Sequence, residues 1–400
     1  MRASISPSRR SFLGGAAASA AAFTTMRPGL VRGTEANSAV EIGLIGCGGR
    51  GSWIADLFRK SGKYRIVAAA DYFPDRVEPF GESFGVPADR RYSTLSGYRR
   101  LLDSKLDAVV IETPPYFHPE QAAAAVDAGR HVYCAKPIAV DVPGCLSIAD
   151  SGKRATGKKL VFLVDFQTRV NPFYVEAVRR VHEGAIGRLI SSQSAYLWDA
   201  SVHDRAADTP EDRLRYWYNS RALGGDVIVE QDIHTLDVAT WITGADPLLA
   251  FGWTGRRARK HGEINDHFAV TYVFPDNVVV NFLSQKAVPG APDEIRCRFF
   301  GTDGFIDTRY GGDVAIAGKH PYAGGNTGPI YAQGAVANIE AFYDRIATGD
   351  CSNPTVAPSV RSNLTCVLGR TAAYAQHEVT WKQLLDGGEA FRYDFAGLKA

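Results

Sequence analysis

Val40-Glu41-Ile42-Gly43-Leu44-Ile45, running into Gly46-Cys47-Gly48-Gly49-Arg50-Gly51, is the stretch that decides the fold. A short β-branched run feeds a glycine-rich turn, after which Trp53, Ile54, Leu57 and Phe58 recur at helical spacing. The order is strand, turn, helix. Gly46 permits the tight turn, Gly48 lets the backbone approach a pyrophosphate, and Gly51 allows close packing of helix on strand, with the phosphates at the helix N-terminus. A second strand, Arg65 to Ala70, ends in Asp71, at the distance expected of a carboxylate that accepts hydrogen bonds from an adenosine ribose. This spacing predicts a dinucleotide site built from Gly46, Cys47, Gly48, Gly49, Arg50, Gly51 and Asp71. A carboxylate there repels a 2′-phosphate and favours NAD, while Arg50 and Arg76 leave NADP as the alternative.

Outward from this unit the βαβ rhythm continues. A buried strand, Ala108 to Ile111, runs into Glu112-Thr113-Pro114-Pro115; a helix containing Ala122 to Val126 ends near Gly129, and the strand His131 to Cys134 reaches Ala135-Lys136-Pro137. In a doubly wound sheet ligands lie beyond the carboxyl ends of the strands, which sends Thr113, Pro114, His118 and Lys136 toward the cofactor. Farther on, Ile190 to Tyr196, His267 to Phe274, Val278 to Ser284 and Ile295 to Phe300 are strand-like, with Pro275-Asp276-Asn277 as a turn between two of them. Strands that follow without intervening helices argue for antiparallel pairing. The expected fold class is α/β: a doubly wound parallel Rossmann sheet over residues 39–164, then an α+β domain over residues 165–400 with a large, mostly antiparallel sheet.

Ahead of both lies a different kind of segment. Ser8-Arg9-Arg10-Ser11-Phe12-Leu13 precedes an Ala/Gly-rich stretch ending near Phe23, a charged region followed by a modest apolar one. The twin arginines resemble a Tat export signal, so residues 1–38 are expected to be an export leader and linker, and the protein periplasmic or otherwise exported. The apolar stretch is shorter than the roughly 20 residues that span a bilayer, so no stable membrane insertion is expected. Of the 400 residues, 45 are basic and 43 acidic, a net charge of +2 that gives no footprint for nucleic acid. A small-molecule partner is favoured. The six cysteines are dispersed without a C-x-x-C pair and read as mostly buried thiols.

The residues resemble the glucose-fructose oxidoreductase and inositol dehydrogenase family, Gfo/Idh/MocA. The resemblance rests on the glycine loop, the Thr113-Pro114 turn with His118, Lys136-Pro137, Gly224-Gly225 followed by His234-Thr235-Leu236-Asp237, Gly301-Thr302-Asp303-Gly304, and a helix around Ile339 to Ile346. It implies a homodimer or homotetramer formed through the C-terminal sheet, a substrate cleft between the domains, and His234 and Lys136 in the positions of the catalytic base and of the lysine that polarises the reacting oxygen. Oxidising a secondary alcohol needs both: a base for the hydroxyl proton, and a positive charge to stabilise the developing alkoxide. Histidine suits the first task near neutral pH. Where the family has an aspartate this chain has Glu230; Ala135 replaces the usual glutamate, and Asp232 stands where glycine is common.

If Asp226 to Ile242 is helical, Glu230 and His234 are neighbours at i and i+4, so Glu230 joins Lys136 and His234 as a catalytic candidate. Glu230, Asp232 and His234 are also metal-ligand types, although i and i+2 do not share a helical face, and no metal is expected. Arg169, Trp198, Tyr216, Asp232 and His234 are the substrate-binding candidates, with Tyr196, His203, Trp217 and Tyr218 nearby in sequence; aromatic and polar groups suit a sugar's stacking face and hydroxyls. The leading function is oxidation of a sugar, glycoside or polyol by NAD. The alternatives are a redox-neutral lyase or glycosidase using transient oxidation, and a non-catalytic dinucleotide sensor. Export of a dinucleotide enzyme further implies a tightly held cofactor, because the extracytoplasmic space does not supply one in quantity.

Overall fold

The computed structural model describes residues 39–199, 203–290 and 293–400; the leader expected over residues 1–38 lies outside them. Six parallel strands, β1 (Val40–Ile45), β2 (Tyr64–Ala70), β3 (Arg91–Tyr92), β4 (Ala108–Ile111), β5 (His131–Ala135) and β6 (Phe162–Asp165), stand in the order β3-β2-β1-β4-β5-β6. Successive side chains enter two apolar layers. Ile42, Leu44, Val110, Tyr133 and Leu163 share one with Ile54 and Phe58 of α1 (Gly49–Lys60). Ile45, Val109, Ile111, Val132 and Val164 share the other with Ala122 and Ala125 of α2 (His118–Asp127). Burial on both faces is why these strands read as continuous apolar runs.

The second sheet has nine strands: β7 (Leu189–Leu197), β8 (Leu249–Gly255), β9 (His267–Phe274), β10 (Val278–Gln285), β11 (Glu294–Gly301), β12 (Gly304–Arg309), β13 (Asp313–Gly318), β14 (Tyr322–Asn326) and β15 (Val379–Thr380). Their order is β14-β13-β12-β11-β7-β10-β9-β8-β15. Every neighbouring pair is antiparallel except β7 and β10, which run parallel. The expected run of strands without helices is therefore corrected. Between β7 and β8 the chain passes through helices that include α3 (Val227–Glu230) and α4 (Ile233–Thr243), and a parallel pair needs such a crossover of a dozen or more residues. The β9–β10 hairpin turns at Pro275–Asn277, with Asp276 and Asn277 both left-handed.

Two late helices tie the sheets together. α5 (Ile330–Thr348) places Ile339 and Phe342 in the layer that holds Phe58 and Tyr133. α6 (Val356–Ala375) packs under the nine-stranded sheet, where Gly369 lies against Tyr272, and against the helix Val142–Gly157, where Val356 lies against Gly152. All six cysteines are free thiols, five of them buried. Among the described residues no helix is long and apolar enough to cross a membrane.

Candidate active site

The carboxyl ends of β1, β2 and β4 open onto one cavity lined by the glycine loop, Asp71, Thr113 and Pro114. At Gly46, with φ of +99°, a Cβ would meet the Glu112 backbone at 2.6 Å, and at Gly51 it would meet the Gly46 carbonyl oxygen at 1.8 Å. Near Gly48 the closest atom to such a Cβ is the Arg76 guanidinium, 3.7 Å away, and nothing lies within 4 Å at Gly49. The outer glycines thus serve packing, and the middle pair leaves space at the N-terminus of α1 that fits a pyrophosphate. Asp71 accepts from the Cys47 amide at 2.8 Å and the Phe73 amide at 2.9 Å, which pins the glycine loop to the end of β2. Burial raises its carboxyl above its ordinary value. The Cys47 side chain itself turns into the core, its Sγ toward the Ala70 carbonyl.

His118 is buried between two turns instead of lining the cavity. Its Nδ1 faces the Pro137 carbonyl at 2.8 Å and its Nε2 the Thr113 carbonyl at 2.7 Å, so it braces the ends of β4 and β5 against each other. Burial pushes its ring down to about 4, against the two carbonyls, which favour the protonated ring. Arg50 does more than the glycine motif foretells. Its guanidinium reaches Glu112 at 3.0 Å, Asp165 at 2.5 Å and the Tyr331 hydroxyl at 2.7 Å, and it lines both the dinucleotide cavity and a second cleft. Burial pushes Glu112 up to about 7 against the pull of Arg50.

That second cleft gathers Lys136, Glu230, Gln231, His234 and Tyr331. Lys136 follows β5 directly and donates from Nζ to the Glu230 carbonyl at 2.7 Å, with Glu230 Oε1 at 3.4 Å. In a continuous helix that carbonyl would accept the His234 amide; here the His234 amide donates to the Gln231 carbonyl at 3.1 Å. The expected helix from Asp226 to Ile242 is therefore corrected: it breaks after Glu230, and the lysine takes the carbonyl set free. His234 Nδ1 and Glu230 Oε2 are both buried without a hydrogen-bond partner. Burial, with Lys136, Arg50 and Lys286 adding to it, holds the His234 ring well below its ordinary value, so the imidazole is neutral and able to accept a proton. Burial raises the Glu230 carboxyl, and Lys136 opposes that rise.

Among the substrate-binding candidates, Trp198 and Tyr216 line this cleft, together with Tyr196, His203, Trp217 and Tyr218. The rings of His203 and Tyr218 lie 4.6 Å apart. Two candidates are not brought there. Arg169 grips Asp237 through Nε and Nη2 at 3.0 and 2.8 Å, beneath Trp241. Asp232, just past the helix break, is fully buried against Lys286 Nζ at 2.6 Å. Burial raises the Asp232 carboxyl and lowers the Lys286 ammonium, each opposed by the other. Asp232→Asn is expected to strand that ammonium and lower stability by about 3–5 kcal/mol, whereas Asp232→Asn with Lys286→Met recovers most of it. Chemical denaturation checks this, and a single variant as stable as the parent contradicts it. Gln231, Tyr331 and Lys286 carry no local sequence signal; the Arg50 partners alone come from the residue after β4, from β6 and from α5.

Residues 40–164 match the family model described as oxidoreductase family, NAD-binding Rossmann fold, of GFO/IDH/MocA, and residues 174–307 match the GFO/IDH/MocA C-terminal domain. The chain is 24% identical over 339 residues to levoglucosan dehydrogenase of Pseudarthrobacter phenanthrenivorans, covering 73% of this chain and 83% of that protein. It is 28% identical over 287 residues to inositol 2-dehydrogenase of Acidothermus cellulolyticus, covering 71% and 74%. A solved levoglucosan dehydrogenase in complex with NADH and levoglucosan shares the fold with a TM-score of 0.70 at 20% identity, over 86% of this chain and 99% of that one.

Proposed function

Since the chain belongs to the Gfo/Idh/MocA family of oxidoreductases, we propose that it oxidises a secondary hydroxyl of a sugar, glycoside or polyol with NAD. The observation that carries this reading is the gathering of Lys136, Glu230 and His234 in one aromatic-lined cleft that shares Arg50 with the dinucleotide cavity. The glycine loop and Asp71 hold the dinucleotide, which supplies the hydride acceptor when bound. His234 takes the hydroxyl proton, Lys136 stabilises the oxygen as charge develops, and Glu230 receives a substrate hydrogen bond while holding the lysine. The sugar relatives support the substrate class. Incubation with sugars and polyols, followed at the absorbance band of reduced nicotinamide, tests it. Net reduction supports the reading, product without reduction replaces it with a redox-neutral lyase or glycosidase, and neither outcome leaves a dinucleotide sensor.

The leader read in residues 8–23 supports export in the folded state, and the C-terminal tail supports a cofactor loaded before export. The Leu95 amide donates to the Lys399 carbonyl at 3.1 Å, the Lys399 amide to the Tyr72 hydroxyl at 3.1 Å, and Phe395 packs on Phe117. Leu95, Tyr72 and Phe117 all line the dinucleotide cavity, so the tail braces its rim. Protein from the exported fraction, desalted and acid-denatured, is expected to release close to one dinucleotide per chain. Truncation after Gly388 is expected to raise the dinucleotide off-rate about tenfold or more, since affinity differences of this kind reside mostly in dissociation. Full-length protein recovered empty from that fraction contradicts this.

The outward face of the nine-stranded sheet supports a homo-oligomer. Trp253, Ala269, Leu283 and Ala195 form one cross-strand row, and Phe251, two residues before Trp253, is exposed on the same face; an exposed apolar patch of this kind marks an association surface. Light scattering is expected to give a dimer or tetramer that Leu283→Glu splits, and a monomeric parent contradicts it.

A further inference from the structure

The helix break after Glu230 brings one more polar side chain to the reaction cleft. Gln231 lies on the short link between α3 and α4, where its carbonyl accepts the His234 amide, so the backbone that holds the base also holds this residue. Its side chain is half-buried and lines the cleft. Tyr218 fixes the orientation: its ring lies against His203, and its hydroxyl donates to Gln231 Oε1 at 2.8 Å. With that oxygen turned to Tyr218, the Nε2 hydrogens are left as donors, and among the described residues they have no acceptor. One residue earlier, Glu230 Oε2 is an acceptor without a donor.

A hydroxyl group both donates and accepts, so one acceptor and one donor placed together satisfy it. The cleft holds two such couples. Lys136 Nζ with the His234 imidazole serves the hydroxyl being oxidised, and Gln231 Nε2 with Glu230 Oε2 forms the second. The couples adjoin, because Lys136 Nζ lies 3.4 Å from Glu230 Oε1 and 2.7 Å from the Glu230 carbonyl oxygen. Couples in contact fit hydroxyls on adjacent carbons. A compound without the second hydroxyl leaves the amide and the carboxylate oxygen unpaired once water is displaced, and such unpaired groups are what let a pocket reject an analogue.

Resting on the function proposed above, we propose that Gln231 is a specificity-determining residue: with Glu230 it reads the hydroxyl on the carbon next to the one oxidised. That hydroxyl donates to Glu230 and accepts from Gln231, so the enzyme selects a vicinal diol over an isolated alcohol. Tyr218 is a positioning residue, acting through the amide it orients.

The test uses the full chain saturated with NAD and follows the absorbance band of reduced nicotinamide with cis- and trans-1,2-cyclohexanediol, trans-1,4-cyclohexanediol and cyclohexanol. The better 1,2-diol is expected to exceed the 1,4-diol and cyclohexanol in kcat/KM by about tenfold or more. Gln231→Ala is expected to lower kcat/KM for the 1,2-diol by about tenfold and to bring its ratio to the 1,4-diol near one. Because that substitution can impair folding, Tyr218→Phe, which keeps the ring against His203, serves as the second variant. It is expected to narrow the same ratio, raising KM for the 1,2-diol more than it lowers kcat. Equal use of the 1,2- and 1,4-diols by the parent, 1,2-diols left unoxidised while sugars reduce NAD, or a ratio that survives both variants overturns the proposal. A fall of equal size for all the probes overturns it too, since it marks a structural role alone. If sugars reduce NAD in any of these cases, the oxidoreductase reading stands without it; if neither sugars nor these alcohols reduce NAD, both fall.

Discussion

Replacing His234 by alanine is expected to lower kcat by roughly two to four orders of magnitude, the range for loss of a general base. The ring sits at the start of α4, packed on Tyr310 at 5.2 Å between centroids, with Nδ1 lacking any protein partner. An unpartnered nitrogen in a buried cleft is either a defect or an acceptor awaiting its donor, and Lys136 in the same cleft favours the second. The expected pH dependence follows from the environment. Burial and nearby cations depress the imidazole well below 6.5, so the basic form persists as pH falls through that value. The acid limb of kcat/KM should therefore lie below the ordinary histidine range. An alanine variant with parental turnover, or an acid limb at the ordinary histidine value, rules out the assignment.

The second large effect is expected at Lys136. Methionine there keeps much of the aliphatic stem and removes the ammonium. That ammonium has two roles: it carries the positive charge facing the reacting oxygen, and it holds the Glu230 carbonyl that α4 gives up. Loss of one preorganised donor to a developing oxyanion costs about 10²–10³ in kcat, and loosening of the break between α3 and α4 adds to it. Arginine should not rescue turnover, because its planar fork cannot replace a compact ammonium on the same carbonyl. Dinucleotide content should stay near the parental level, since the glycine loop and Asp71 are untouched. A Lys136→Met protein that turns over within threefold of the parent contradicts the role given to the lysine.

The sequence made the parallel half legible because its signals are local. Gly46 and Gly51 occupy positions where a side chain would collide with backbone, and the strands they join are apolar on both faces. The second half was legible as strands and misleading as connectivity: alternation marks β9 and β10, but nothing local announces that β10 pairs in parallel with β7. In the site, the family resemblance singled out Lys136 and His234 and the i,i+4 spacing added Glu230, yet the helix drawn between the last two breaks, because a residue 94 positions away takes a backbone carbonyl. Asp232 was misplaced by the same error, since the break turns it inward to Lys286. Arg169 was a plausible ligand contact until Asp237 claimed it. The tail and Tyr331 matter only through partners brought from elsewhere in the chain, which spacing along one segment does not encode.

The measurement that tests the central claim most directly follows deuterium. NAD-loaded protein is incubated with the sugar or polyol found to be turned over, labelled at the carbon that bears the reacting hydroxyl, and the nicotinamide is recovered and examined. The account predicts that deuterium appears in the nicotinamide, that turnover of the labelled compound is slowed, and that His234→Ala and Lys136→Met suppress the transfer with dinucleotide still bound. Turnover with no deuterium in the nicotinamide at any stage would contradict it, because the cleft would then be doing chemistry that the neighbouring dinucleotide cavity does not serve.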